Sequence, residues 1–244
     1  MTTLLVDNSN TVTKFALARE ESLRPWRGRC PTDELTPETI ARTVEGQSYD
    51  AVVLCSVVPA KARLLKASLR GDRPFHVISH QSRLSITIDY PSPEQIGADR
   101  LANAVAAYDL VGAPAIVIDF GTAVTFDVIG APGCYLGGVI APGVASMTRN
   151  LSKRTALLPK ITLEEPRRAI GKTTVEAMQA GAMLGYRGMI REIVHAICLE
   201  LPDTPTVIAT GGDGEMISHG LPEISQVLPA LTLDGIRMIG DLNL

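Results

Sequence analysis

The stretch Ala115 to Asp127 (AIVIDFGTAVTFD) constrains this chain more than any other, because a close copy of it opens the sequence. Ala115 to Ile118 is a short apolar run that stops at Asp119. Phe120-Gly121-Thr122 has the composition of a tight turn, and Ala123 to Val128 reads as a returning strand. The pattern predicts a hairpin with a carboxylate, a glycine and hydroxyls gathered at its tip. Gly121 admits positive φ and close approach of a ligand, Thr122 and Thr125 offer hydroxyls, and the turn offers N–H groups, a set suited to a phosphate with a bound cation. Alone, an Asp-x-Gly after an apolar run is more often only a turn. The second copy changes the balance. Leu4 to Phe15 (LLVDNSNTVTKF) aligns without a gap on Ile116 to Asp127, which places Asp7 on Asp119, Ser9 on Gly121, Val12 on Val124 and Thr13 on Thr125. Two such hairpins more than a hundred residues apart predict a duplicated fold.

A chain of 244 residues has room for two such halves. The boundary falls at Gly112-Ala113-Pro114, giving domains 1–112 and 113–244. Charged residues make up 20% of the chain, are scattered, and sum to −3, which leaves no basic footprint for nucleic acid or an anionic membrane. No uninterrupted apolar run is long enough to span a bilayer. The N-terminus passes from Met-Thr-Thr straight into strand-like sequence, so a cytoplasmic location is expected. Cys30, Cys55, Cys134 and Cys198 are far apart. His76 and His80 lie in a strand-like stretch without a Cys or carboxylate partner, so no zinc site is expected.

Taken in order, Leu4–Asn8, Val12–Ala18 and Leu23–Arg29 read as strands. Thr36 then caps a helix with Pro37 at its first position. A buried-looking strand from Ala51 to Val58, a helix to about Leu69 and a strand at Phe75–Ser79 complete a β-β-β-α-β-α-β order, which implies a mixed sheet flanked by helices. Ile86 to Tyr90 alternates as a strand. Gly97-Ala98-Asp99-Arg100 enters a helix with Leu101, Val105 and Tyr108 on its apolar face. Asp99 and Arg100 thus occupy a first helical turn, where the plain reading is a dipole-complementing carboxylate and a solvated charge. The functional alternative is a base for a substrate hydroxyl beside a holder for an anionic group.

In the second half, Tyr135–Pro142 is a glycine-rich strand, Val144–Leu151 a helix, and Leu157–Pro166 an irregular connection. Ile170-Gly171-Lys172-Thr173-Thr174 looks like the end of a P-loop, but Pro166 stands where that motif needs its first glycine. Thr174 to about Leu201 is the longest predicted helix. Ala177, Gly181 and Gly185 recur along it at four-residue spacing, which reads as a closely packed or self-associating face. Thr206–Thr210 is a strand that delivers Gly211-Gly212, a pair that leaves room for a flat ring such as adenine or makes a simple turn. Leu231–Leu242 closes the chain as a helix.

The ordered motifs DNSNTVTKFAL from Asp7, GADRLAN from Gly97, IDFGTAVTFD from Ile118, YLGGVIAPG from Tyr135, IGKTTVEAMQAG from Ile170 and IATGGDG from Ile208 cover nearly the whole chain. In combination they resemble the type III pantothenate kinases, members of the actin-like kinase and ATPase group. The resemblance implies an α/β fold of two duplicated ribonuclease-H-like (actin-like ATPase) domains. It also implies ATP-dependent phosphorylation of pantothenate to 4′-phosphopantothenate, the first step of coenzyme A synthesis. Asp7, Asn8, Ser9, Asn10, Thr11, Val12, Thr13 and Lys14 match the first phosphate-binding motif, with Asp7 near Mg²⁺. By the same resemblance Thr122 contacts ATP, and Asp119 ligates a monovalent cation, K⁺ or NH₄⁺. Gly97, Ala98, Asp99 and Arg100 match the pantothenate-binding segment, with Asp99 as base and Arg100 as carboxylate partner, while Tyr90 and Thr174 contact pantothenate. A homodimer is implied as well. Ser9 stands where the family usually has glycine, and a positive φ there would strain it. Two alternatives share the fold: a regulatory protein that binds nucleotide without turnover, and a kinase of another small hydroxy acid.

Overall fold

Alternation and turn chemistry build the first sheet. A computed structural model describes all 244 residues, and in it Thr2–Asn8 (β1) and Val12–Arg19 (β2) form the opening hairpin, with Asp7 opposite Lys14 and Asn8 opposite Thr13. Ser22–Pro31 (β3) pairs antiparallel to β2. Thr36 caps Pro37–Thr43 (α1) through a reciprocal pair: its hydroxyl accepts from the Thr39 N–H at 3.2 Å, and its own N–H donates to Thr39 Oγ1 at 2.8 Å. Ala51–Ser56 (β4) pairs parallel to β1, Pro59–Leu69 (α2) follows, and Phe75–Val77 (β5) pairs parallel to β4, giving the order β3-β2-β1-β4-β5.

The apolar runs of β1 and β4 are buried on both faces, as expected for inner strands covered by helices. Leu4, Val6, Phe15, Val52 and Leu54 pack on one side with Ile40 of α1 and Leu65 and Leu69 of α2. Thr87–Ile88 (β6) is shorter than the alternation at Ile86–Tyr90 predicts, because only these two residues pair, parallel to Cys134 and Tyr135. Ala98–Val111 (α3) follows a short 3₁₀ turn at Pro93–Gln95.

Ala115–Phe120 (β7) and Ala123–Gly130 (β8) form the second hairpin. Cys134–Pro142 (β9), Val144–Arg154 (α4) and the long Thr174–Glu200 (α5) come next. Thr206–Thr210 (β10) pairs parallel to β7, Gly214–Ser218 (α6) follows it, and Gln226–Val227 (β11) pairs parallel to β10. The six-stranded order is β11-β10-β7-β8-β9-β6, and it buries Ile116, Ile118, Phe120, Val124 and Phe126 against Met183, Tyr186, Ile190 and Val194 of α5. Those four positions recur at helical spacing, which is why one stripe of α5 is core.

The closing helix, Leu231–Asn243 (α7), packs on α3 and against β1 and β4. A Cβ on Gly235 would overlap the backbone of Ala102, and one on Gly240 would lie 2.6 Å from Val53 Cγ2, so these glycines set how closely α7 approaches. The chain separates into two compact units, 1–113 with 129–137 and 230–244, and 114–128 with 138–229. No helix is long and apolar enough to cross a membrane.

Candidate active site

In the first unit, the β1–β2 pairing sets the hairpin tip. Asp7 is 2% exposed, and both of its carboxylate oxygens are engaged: Lys14 Nζ lies 3.2 Å from Oδ2, and the Ser9 hydroxyl donates to Oδ1 at 3.0 Å. Asn8 and Thr13 are buried beneath. Asn8 Nδ2 donates to Thr13 Oγ1 at 2.7 Å, and Asn8 Oδ1 accepts from Ser56 Oγ at 2.6 Å. Thr32 pins the loop from behind: its hydroxyl donates to the Ser9 carbonyl at 2.7 Å, and its N–H to the Thr11 carbonyl at 2.9 Å. Asn10 and Thr11 are exposed at the tip and Val12 is half-buried.

Ser9 carries no backbone strain, because positive φ among non-glycine residues is confined to Glu20 and Glu21. Its hydroxyl instead gives Asp7 a partner that a glycine would lack. Since a single hydrogen bond is worth about 1 kcal/mol net, Ser9→Gly is expected to change the KM for ATP by less than about fivefold. Steady-state kinetics check this, and a larger loss would make Ser9 a direct phosphate contact.

The second cluster of this unit lies at the start of α3. The Arg100 N–H donates to Asp99 Oδ1 at 2.8 Å, and a Cβ on Gly97 would sit 2.5 Å from that same oxygen. Gly97 is therefore the residue that lets the Asp99 carboxylate fold back over the helix start, while Ala98 is buried below. The Arg100 guanidinium lies 5.8 Å from the Tyr135 ring centroid, and Tyr90 meets Tyr135 edge-on at 6.4 Å. Gly137, at φ +119, sits under Tyr90, and a Cβ there would approach its ring to 3.4 Å. Tyr90 and Arg100 thus meet a fully buried Tyr135, and Asp99 stands beside Arg100 in the first turn of α3.

In the second unit the β7–β8 tip has the same logic with different supports. Gly211, at φ +91 after β10, lies against the tip: a Cβ there would fall 2.5 Å from the Phe120 carbonyl oxygen and 2.6 Å from Asp119 Oδ1. The Asp213 N–H donates to the Phe120 carbonyl at 3.3 Å. On the other side, Gly143 at the head of α4 presses on the Gly121 and Thr122 carbonyls, and Ser146 Oγ donates to the Thr122 carbonyl at 3.0 Å. Thr125 Oγ1 donates to Asp127 Oδ2 at 3.4 Å. Thr174 is exposed in the first turn of α5, which Thr173 caps by accepting from the Glu176 N–H.

Residues 3–196 match the sequence profile of the family described as Type III pantothenate kinase. The chain belongs to the type III pantothenate kinase family. A Type III pantothenate kinase from Akkermansia muciniphila is 53% identical over the full length of both chains. One from Methylacidiphilum infernorum is 42% identical over 98% of this chain and 88% of its own. Among solved structures, an inorganic polyphosphate/ATP-glucomannokinase from Arthrobacter sp. superposes with a TM-score of 0.52 at 17% identity over 98% of each chain, a likeness of fold. The expected duplicated kinase fold of mixed sheets and helices is therefore the fold of this pantothenate kinase.

No three His, Cys, Asp or Glu side chains gather to make a metal cage in this kinase. Single carboxylates at Asp7 and Asp119 fit cations that keep water and take phosphate oxygens as further ligands, the habit of Mg²⁺ at nucleotides. Asp213 is pushed above the usual carboxylate range by burial. With its folded pKa above the ordinary value of 3.8, the folded chain holds the proton longer, so stability falls as pH rises through that interval. Asp213→Asn is expected to melt higher than wild type near pH 7, with the difference shrinking as pH falls to about 3. Thermal melts across pH check this. Sequence reasoning missed Tyr135, Thr32 and Ser56 as site supports, and only Tyr135 had a signal, its place in a quoted motif.

Proposed function

We propose that this kinase transfers the γ-phosphoryl group of ATP to the primary hydroxyl of pantothenate through the residues named above. Asp99 accepts the hydroxyl proton as the oxygen attacks. Arg100 holds the pantothenate carboxylate, with Gly97 and Ala98 shaping that segment and Tyr90 and Thr174 as further contacts. The observation that carries this reading is the meeting of Arg100 and Tyr90 on Tyr135, with the Asp99 carboxylate held beside Arg100 by its N–H. Asp7 to Lys14 and Thr122 hold the phosphates, with Asp7 toward Mg²⁺ and Asp119 toward K⁺ or NH₄⁺. Bound Mg²⁺ supplies charge neutralisation on the phosphate oxygens, and the protein supplies alignment. Lys14, ion-paired with Asp7, is positioned to exchange that partner for a phosphate. The relaxed backbone of Ser9 gives the non-catalytic alternative no support. The duplicated halves are taken as 1–112 and 113–244, and the enzyme as cytoplasmic.

The test is a product assay with purified protein, ATP, Mg²⁺, K⁺ and pantothenate, beside a panel of other small hydroxy acids. The expected result is 4′-phosphopantothenate identified by mass. Folded protein that phosphorylates another acceptor, or none, would overturn the assignment. Leaving out K⁺ and NH₄⁺ is expected to depress the rate of wild type far more than that of Asp119→Asn, and equal dependence would remove Asp119 from the cation site.

The homodimer is supported by the open face of α5. A Cβ on Gly181, Gly185 or Gly188 would meet nothing within 4 Å, and Val175 and Leu184 are 41% and 45% exposed on the same helix. Light scattering is expected to give twice the chain mass for wild type and a smaller mass for Gly185→Glu.

A further inference from the structure

Arg187, in the middle of α5, is the only buried cationic side chain, at 4% exposure. Its guanidinium makes four hydrogen bonds. Nη1 and Nη2 donate to Oε1 and Oε2 of Glu165, each at 2.8 Å, in a two-pronged fork. Nε donates to the Ile217 carbonyl at 3.0 Å, and Nη2 donates also to the Met216 carbonyl at 3.1 Å. Those two carbonyls belong to the end of α6, where a helix leaves acceptors unsatisfied. Gly220 makes room for the group, because a Cβ there would lie 2.7 Å from Cζ and Nε. One guanidinium thereby ties together α5, the end of α6 and the irregular connection that carries Glu165.

A core filler would not need this chemistry. Burying an arginine costs more than burying an apolar side chain of like volume, so a scaffold role alone would be met as well by methionine. What the fork does is hold Glu165 in one place and in one charge state. Arg187 keeps the Glu165 carboxyl below its ordinary range chiefly by hydrogen bonding to it.

Glu165, Gly212, Glu215, Met216 and His219 line a wide-mouthed surface hollow of about 490 Å³. Arg187 bonds directly to two of these five residues. Gly212 belongs to the glycine pair that follows β10. The wall carries two carboxylates and an imidazole and no lysine or arginine. That composition disfavours phosphates and suits a neutral group that donates N–H or O–H bonds, as a nucleoside does.

We propose that Arg187 is a positioning residue for ATP: through Glu165 and the α6 carbonyls it fixes the acidic wall against which the nucleoside part of ATP is held. This rests on the reading that the Gly211-Gly212 pair receives the nucleoside.

The test is steady-state kinetics with ATP and pantothenate varied separately, on Glu165→Gln, Arg187→Lys and Gly212→Val, each with a thermal melt. Glu165→Gln and Arg187→Lys are expected to raise the KM for ATP about tenfold, the worth of one charge-assisted hydrogen bond. The KM for pantothenate and kcat are expected to stay within about twofold, since neither group is among the residues assigned to the acceptor. Lysine keeps the charge but lacks the fork, so its failure to rescue is part of the expectation. Variants with an unchanged KM for ATP, losing only melting temperature or active fraction, would reduce Arg187 to a structural role and overturn the proposal.

Gly212→Val tests the underlying reading by itself. Its Cβ would meet nothing within 4 Å and its φ is not positive, so the fold tolerates it while the cavity shrinks. A raised KM for ATP in Gly212→Val without one in the other two overturns the Arg187 proposal alone. An unchanged KM for ATP in Gly212→Val removes the nucleoside from this cavity, and the proposal with it. Where Arg187→Lys does not fold, Glu165→Gln decides, because the Glu165 side chain is 54% exposed and the amide oxygen still accepts one of the two guanidinium bonds.

Discussion

Asp99→Asn is expected to lower kcat by about 10²–10⁴ while the protein stays folded and the KM for pantothenate changes little. The substitution keeps shape and the local bond, because an amide oxygen still accepts the Arg100 N–H now 2.8 Å from Asp99 Oδ1. It removes the capacity to take a proton. Arg100 stays, so the acceptor carboxylate keeps its partner. Rapid-quench or coupled assays with saturating pantothenate measure the effect. Wild-type kcat would eliminate Asp99 as base, and a loss of only about tenfold would leave it with orientation of the hydroxyl rather than proton transfer. Gly97→Ala is a companion change. Its added carbon would lie 2.5 Å from the Asp99 carboxylate and should push that group off its place, giving a comparable loss with the acid still present.

Gly235→Ala is expected to destabilise the protein by about 3 kcal/mol or more, against the ordinary gain of up to about 1 kcal/mol for this exchange in an exposed helix. The sign reverses because the new carbon on α7 would overlap main-chain atoms of Ala102 in α3, which no rotamer change can relieve. The helices must separate instead. At roughly 2–4 °C per kcal/mol for a chain of this size, the midpoint should fall by about 10 °C. Calorimetry checks the stability, and the residual kcat below the melt reports on the site, since Ala102 lies one turn beyond Asp99 and Arg100 on the same helix. An unchanged midpoint would show that α7 can shift at no expense.

Much of this was legible in the chain itself. The two Asp hairpins, the Thr36 cap and the helix starting at Thr174 depend on neighbours a few residues apart, and local chemistry determines them. The Ile86–Tyr90 alternation overstated its strand because pairing needs a partner. Only Cys134 and Tyr135 supply one, and Pro91 then turns the chain away. The supports of the site were hidden for the same reason. Thr32 stands 23 residues from the Ser9 carbonyl it holds, and Arg187 stands 22 from Glu165. Neither residue type at those distances announces a partner. In α5 the glycine spacing was visible, but whether another helix of the same chain covered it was a question of tertiary placement.

The return of α7 to the first-made sheet also orders events at the ribosome. Strands β1 and β4 are synthesised early, yet the helix that packs against them, α7, is translated only after the whole second hairpin and its helices. During elongation one apolar side of that sheet lacks the cover of α7 and has only α3, which reaches β4. A nonsense or frameshift change just before Leu231 would therefore yield a product that contains all the substrate and phosphate residues named here but cannot bury Leu5 and Val53 as the finished protein does. Such a product should be found in the insoluble or proteolysed fraction, and the codons for α7 should tolerate premature termination as poorly as those for Asp99.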